Sequence, residues 1–330
     1  MSNLRFWGLM GVLIVVVWLA GRLVTNEYVF FAGYAVLQYI LLATAWNLLG
    51  GYAGYINFGS AAFFALGAYM SVALNKLVEL PVPILIVAGG VSAGALGLVM
   101  GYLTLKLRGV FFSIATLALA IVFQAVITNW SWVGGASGAY VMRPADGPWG
   151  GSYVEYLFYL MLAMACGSVA LARTIERSDM GYGLSAIRDD EGAAESNGVP
   201  TLRLKVLATV LSGTLMGMAG APLPFYVAYL DPPSAFNLSY AVNTIAMPLV
   251  GGTQTWIGPV IGAVLLTAVQ ETAMVTISSA SNLLLVGLLM IAFIALAPNG
   301  IVGLAKAWKK GETHDAVSNR SAHRHRGRSG

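Results

Sequence analysis

The sequence predicts an all-α integral membrane protein, a bundle of about ten transmembrane helices with both termini cytoplasmic. Three observations predict it. Apolar residues make up 58% and charged residues 10% of the 330 residues, and mean hydropathy is +0.76, more apolar surface than a soluble core of this length hides. The apolar residues fall in long runs, and a helix needs ~20 of them to cross ~30 Å of hydrocarbon. Nothing alternates at period two over strand lengths, which sets aside a barrel and leaves helices, which satisfy their own backbone in lipid.

The first run, Phe6–Val24, is too long for the apolar region of a signal peptide, and Gly21-Arg22-Leu23 is a poor cleavage site, so it reads as a retained helix. Tyr28–Leu49 and Ser60–Leu77 follow, then Pro83–Leu105 and Val110–Asn129. Residues 130–152 form an outer loop rich in glycine and aromatics. Tyr153–Ala172 carries Cys166, the single cysteine, which has a packing role and no disulfide partner. Residues 173–203 are the longest internal loop. Leu204–Phe225, the short Leu238–Val250, Trp256–Ala273 and Leu283–Pro298 complete a membrane domain over 1–304. A basic cytoplasmic tail, 305–330, reads as disordered beyond Gly311.

Lysine and arginine set the orientation. With ten spans and cytoplasmic termini, 15 of the basic residues fall inside and three (Arg22, Lys76 and Arg143) outside. The net charge of +4 is then a property of the inner face and its contact with anionic lipid, with no nucleic acid implied.

Two glycine-rich breaks, 50–59 and 251–259, interrupt the apolar pattern. They read either as tight turns at the inner surface or as re-entrant backbone lining a path, since irregular backbone at membrane depth needs protein or water around it. Glycines four apart (90 and 94, 97 and 101, 213 and 217, 258 and 262) allow close helix packing, within the chain by default.

No enzyme constellation is present. The three histidines (His314, His323 and His325) lie in the tail, and Arg324 opposes a cation between the last two. His-Glu-x-x-His, Gly-x-Ser-x-Gly and the P-loop pattern are all missing, so the chain has no ATPase motif of its own and no cofactor site. An ion-coupled secondary transporter needs an intramembrane carboxylate, and Glu271, near the outer end of its span, is the nearest to one; its alternative is an interfacial end residue. A neutral polar path would draw on Asn47, Asn57, Ser60 and Gln124, each of which could instead serve helix–helix hydrogen bonds.

The internal loop is rich in charge: Arg173, Glu176, Arg177, Asp179, Arg188, Asp189, Asp190, Glu191, Glu195 and Arg203. Gly183–Arg188 and Asp190–Asn197 read as two short helices, the acidic run favouring the N-terminus of the second. Gly198 suits a left-handed cap and Pro200 the first turn of the next span. The second helix would expose Gly192, Ala193 and Ala194 along one side, a shape that slots into a groove on another protein; the alternative is a solvated loop.

Glu176-Arg177-Ser178 through Gly198-Val199 resembles the cytoplasmic EAA-type loop of ABC importer permeases, and more narrowly the LivM-like half of the branched-chain amino acid permease family. Trp46–Gly54, Phe58–Tyr69, Leu107–Phe112, the Gly-Gly-x-x-Gly of Gly134–Gly138 and Gly251–Ala263 resemble further family segments in order, covering residues 30–304. The resemblance implies a passive permease subunit moving branched-chain amino acids or a related small polar solute, such as urea or an amide. It implies a second, related permease chain, two cytoplasmic ATPases that hold ATP and Mg, and a periplasmic solute-binding protein, in the bacterial inner membrane. Ile187, Arg188, Glu191, Ala194, Glu195 and Gly198 would then couple the chain to an ATPase. Departures from the family pattern are Ser60 in place of His or Gln, Tyr182 in place of Arg, and Pro222, Pro224 and Pro248, which would kink two spans.

Overall fold

Among the described residues, where the sequence runs apolar for about twenty residues the chain is helical, as a backbone in lipid must be. The computed structural model describes residues 3–23, 26–104, 107, 109–144, 146–148, 151–276, 287–288 and 300–304. Helices α1 (Asn3–Leu23), α2 (Glu27–Leu49), α3 (Ser60–Leu77), α4 (Val82–Thr104) and α5 (Val110–Thr128) come first. Two 3-10 turns, Ser131–Val133 and Gly135–Ser137, lead to strand β1 (Ala139–Tyr140). Next are α6 (Tyr153–Glu176), α7 (Asp179–Asp189), α8 (Glu191–Ser196), α9 (Thr201–Gly220) and α10 (Leu223–Val227). Strand β2 (Tyr229–Leu230), α11 (Pro232–Ala235), α12 (Leu238–Gly251) and α13 (Gly258–Thr276) end the described series.

Helices occupy nine of the ten expected spans among the described residues. The tenth, Leu283–Pro298, falls almost wholly outside the described residues, and so does the tail from 305. Six stretches are long and apolar enough to cross a membrane unaided: α1, α2, α4, α5, α6 and the run from Thr201 to Val227. The expected kinks are visible as breaks. Pro222 separates α9 from α10, and Pro248 lies inside α12 one turn before its end.

The centre of the bundle is α4 laid along α9, with α3 against both. Their glycines make this possible. A Cβ on Gly67 would sit 2.0 Å from the Gly217 carbonyl oxygen, and one on Gly217 would sit 2.4 Å from that of Gly89. Gly90 and Gly94 face Met218 and Thr214, and Gly262 faces the Met247 carbonyl, so the four-residue glycine spacing serves packing within the chain. Around this crossing lie large buried side chains, Trp46, Phe63, Phe64, Tyr69 and Phe112 among them.

The connections sort into two ends. At one, β1 pairs antiparallel with β2 (Ala139 opposite Leu230), and Lys76 Nζ donates to the Trp132 carbonyl (3.0 Å). At the other, residues 50–59, 173–200 and 251–258 meet, joined by Phe6 and by Gly300, which lies against Gly252. The first set contains the loops read as outer, the second those read as inner.

Candidate coupling site and permeation path

Local sequence builds the segment from Ser178 to Pro200. Ser178 Oγ accepts from Gly181 N–H and starts α7 a turn earlier than Gly183, so the first of the two expected short helices is longer than the sequence suggested. Asp190 Oδ1 accepts from Ala193 N–H (3.0 Å) and caps α8. Gly198 ends α8 at φ +84°, while Val199 N–H reaches back to the Ala194 carbonyl (3.0 Å). Pro200 stands just before α9, whose first residue is Thr201, and not inside its first turn. Asp190→Ala removes the cap of a six-residue helix and is expected to cost about 1 kcal/mol, read as faster amide exchange confined to α8.

The inner face of this segment is bolted to the bundle. Ile187 and Ala194 are buried in the main core. Glu191 Oε1 accepts from Lys205 Nζ at 2.6 Å, and its Oε2 accepts from the Tyr55 hydroxyl. Lys205 also donates to the Tyr55 oxygen (3.1 Å) and lies 4.7 Å from its ring centre. The Lys205 side chain is 3% exposed and that of Glu191 14%, so this is a buried ion pair completed by a phenol. Tyr55 in turn sets its ring edge-on against Phe112 of α5.

A second carboxylate works the same way. Glu176, the last residue of α6, accepts from Trp256 backbone N–H (2.6 Å) and from the Tyr52 hydroxyl (3.4 Å). Burial, and next the Glu176 charge, hold the Tyr52 hydroxyl above its ordinary range, so it remains protonated and donates. One turn earlier the Arg173 guanidinium lies 3.9 Å from the Phe6 ring centre and 5.7 Å from that of Trp256. The first glycine-rich break is thus held by Glu176 and Glu191, and the second by Glu176.

The outer face differs. Gly192, Ala193, Glu195, Ser196, Asn197 and Gly198 are exposed, as is Tyr182. The small residues do not form one open stripe, because Ala194 turns inward while Gly192 and Ala193 face out. Arg188 is directed to Ser185 (3.0 Å) and Asp189 (3.2 Å), with its stem against Gly54. Of the six predicted coupling residues, Ile187, Ala194 and Glu191 therefore face the bundle. Glu195 and Gly198 face away, and Arg188 lies at the edge.

Asn47, Asn57 and Ser60 are all buried at this end, and the first break between them is a turn followed by irregular backbone, mostly buried with Gly54 and Ile56 exposed. Asn47 Nδ2 donates to the Thr255 carbonyl (3.4 Å), and Asn57 Oδ1 accepts from Gly59 N–H (2.7 Å). Asn47 Oδ1, Asn57 Nδ2 and Ser60 Oγ have no hydrogen-bond partner among the described residues, nor does Thr44 Oγ1, one turn from Asn47 on α2. Gln124 is not brought to this group. It is half-buried on α5, eight residues or ~12 Å along the helix from Thr116, whose hydroxyl accepts from Phe58 N–H (3.1 Å). Sequence reasoning missed a second polar group toward the other end. Gln270 donates to Asn243 (3.1 Å), which donates to the Tyr39 hydroxyl (3.3 Å), with the half-buried Glu271 next in sequence. It also counted Lys205 only as an inner charge; a lysine opening an apolar span was the available signal.

Comparison with known proteins agrees with this architecture. Residues 28–294 match the family described as branched-chain amino acid transport system / permease component. The chain is 25% identical over 293 residues to the high-affinity branched-chain amino acid transport system permease protein LivM of Escherichia coli, covering 81% of this chain and 68% of the relative. It is 26% identical over 271 residues to a probable branched-chain amino acid transport permease protein LivH of Methanocaldococcus jannaschii, covering 77% and 84%. It is also 27% identical over 193 residues to an L-arabinose ABC transporter permease protein AraH of Azospirillum brasilense, covering 56% and 55%. No solved structure matches the chain. With a helical bundle, an inner segment tied to two glycine-rich breaks and a family match spanning most of its length, the chain belongs to the permease components of branched-chain amino acid transport systems.

Proposed function

We propose that this chain is one permease subunit of an ATP-driven importer in a bacterial inner membrane, moving a branched-chain amino acid or a related small polar solute. The observation that carries this reading is the two-sidedness of residues 176–198: an exposed outer face on α8, and an inner side where Glu176, at the end of α6, bonds to both glycine-rich breaks and Glu191, on α8, bonds to the first. The exposed face would sit in a groove of a cytoplasmic ATPase. Two such ATPases would hold ATP and Mg, and a second permease chain and a periplasmic binding protein would complete the assembly. ATP then acts through differential contact of the ATPases with two states of the permease pair. Glu195 and Gly198 belong to the docking face, and Ile187, Arg188, Glu191 and Ala194 pass its displacement inward. Asn47, Asn57 and Ser60, each with a polar atom that has no hydrogen-bond partner among the described residues, would line the inner part of the path. The likeness to an arabinose permease is one reason to state the solute as a class.

Ala193→Trp and Glu195→Lys alter only exposed positions. In reconstituted transporter both variants are expected to fold normally and hydrolyse ATP, while solute uptake per ATP falls about tenfold or more. Unchanged coupled uptake in both would remove the docking role. Binding assays on the cognate periplasmic protein identify the solute.

A further inference from the structure

The outer halves of α1 and α6 meet in a seam whose chemistry changes with depth. The helices run antiparallel, and each presents a row at four-residue spacing: Ile14, Trp18 and Arg22 on α1, and Ala163, Tyr159 and Glu155 on α6. Residues four apart share a helix face, so charge stands by charge, aromatic by aromatic and aliphatic by aliphatic.

Two cavities result. The upper one, about 270 Å³, is lined by Trp18, Arg22, Ser152, Glu155, Tyr156 and Tyr159. The lower one, about 340 Å³, is nearly all apolar and is lined by Ile14, Val15, Leu162 and Ala163, with Trp18 and Tyr159 again at its top. The shared aromatic pair makes them one continuous trough. Arg22 lies 5.2 Å from the Trp18 ring centre, and neither Arg22 nor Glu155 closes an ion pair among the described residues. The Tyr159 hydroxyl, buried against Gly21 and within electrostatic reach of both charges, has Glu155 as its neighbouring acceptor but closes no hydrogen bond of full geometry among the described residues. Glu155 folds over Gly151, where a Cβ would lie 2.3 Å from its Oε2.

A ligand for this trough needs an anion for Arg22, a proton-donating cation for Glu155 and Tyr159, and an apolar tail beneath them. We infer that the α1–α6 seam binds one phospholipid whose head carries both a phosphate and a primary ammonium. The phosphate pairs with Arg22 and the ammonium donates to Glu155, while an acyl chain lies along Ile14, Val15, Leu162 and Ala163. The aromatic pair sits at headgroup depth, where amphipathic rings belong. A purely anionic head leaves Glu155 unpaired and repelled. A choline head has no N–H to give it. A free amino acid would satisfy the charges and leave the apolar trough unfilled. The seam is the natural place for a lipid wedge, because α1 exposes most of its length. The site stands apart from the coupling segment and from solute choice.

The test is native mass spectrometry of the assembled transporter, extracted from vesicles holding equal phosphatidylethanolamine and phosphatidylglycerol. Wild type should retain phosphatidylethanolamine over phosphatidylglycerol by about tenfold, the worth of one charge-assisted contact. Glu155→Gln should abolish that preference. Arg22→Gln should lower retention of both lipids. Ile14→Trp, which fills the trough and leaves both charges in place, should also displace the lipid. Equal retention of the two lipids by wild type, or an unchanged profile in Glu155→Gln and Arg22→Gln, overturns the inference. So does displacement of the lipid by soluble phosphoethanolamine or leucine, which would make this a solute site.

Discussion

Lys205→Met will destabilise the folded permease by about 3–5 kcal/mol, because it removes the cation 2.6 Å from the largely buried Glu191 carboxylate. The pair is 2.6 Å apart, and the Tyr55 hydroxyl bonds both members, so one substitution strips partners from two groups. Lys205→Met combined with Glu191→Leu will recover most of that loss, since both charges of the pair leave together. Denaturation midpoints in detergent for the two single variants and the double complete the cycle; additive losses would show that the pair is not coupled. The double variant is expected to fold yet fail in coupled uptake, because α8 then keeps no bond to Tyr55.

Gly217→Leu has the second large effect. A side chain there meets Ala93 Cβ at 2.3 Å and the Gly89 carbonyl at 2.4 Å, so it must push backbone apart rather than turn a rotamer. Overpacking of this kind costs upwards of about 3 kcal/mol, and the expected outcome is loss of monodisperse protein on size exclusion. Gly167→Leu, on α6 with nothing among the described residues within 4 Å of its Cβ, is the matched comparison and should behave as wild type. Equal behaviour of the two would mean that the α3–α4–α9 crossing does not depend on bare backbone.

What the sequence discloses is mostly local. Asp190 as a cap, Gly198 as a left-handed stop and Pro222 as a break all act within a turn of themselves, and each is where the residue type requires it. The spans were legible because lipid leaves the backbone few other choices. The anchoring of the 176–198 segment was not legible. Glu176 meets Trp256 across 80 residues and Glu191 meets Tyr55 across 136, and no spacing rule reaches that far. The same limit explains the partial outcome for the polar residues. Asn47, Asn57 and Ser60 were identifiable as polar groups in apolar surroundings, but whether Gln124 joined them depended on where α5 crosses. The face that Ala194 takes follows from how α8 lies on the core, which its small neighbours do not reveal.

A single oxygen on Glu176 receives both Trp256 N–H and the Tyr52 hydroxyl. Drawing either segment away on its own strands a buried donor, at about 1–3 kcal/mol. The two glycine-rich breaks therefore share one pin. A displacement of Glu176 reaches both at the same moment.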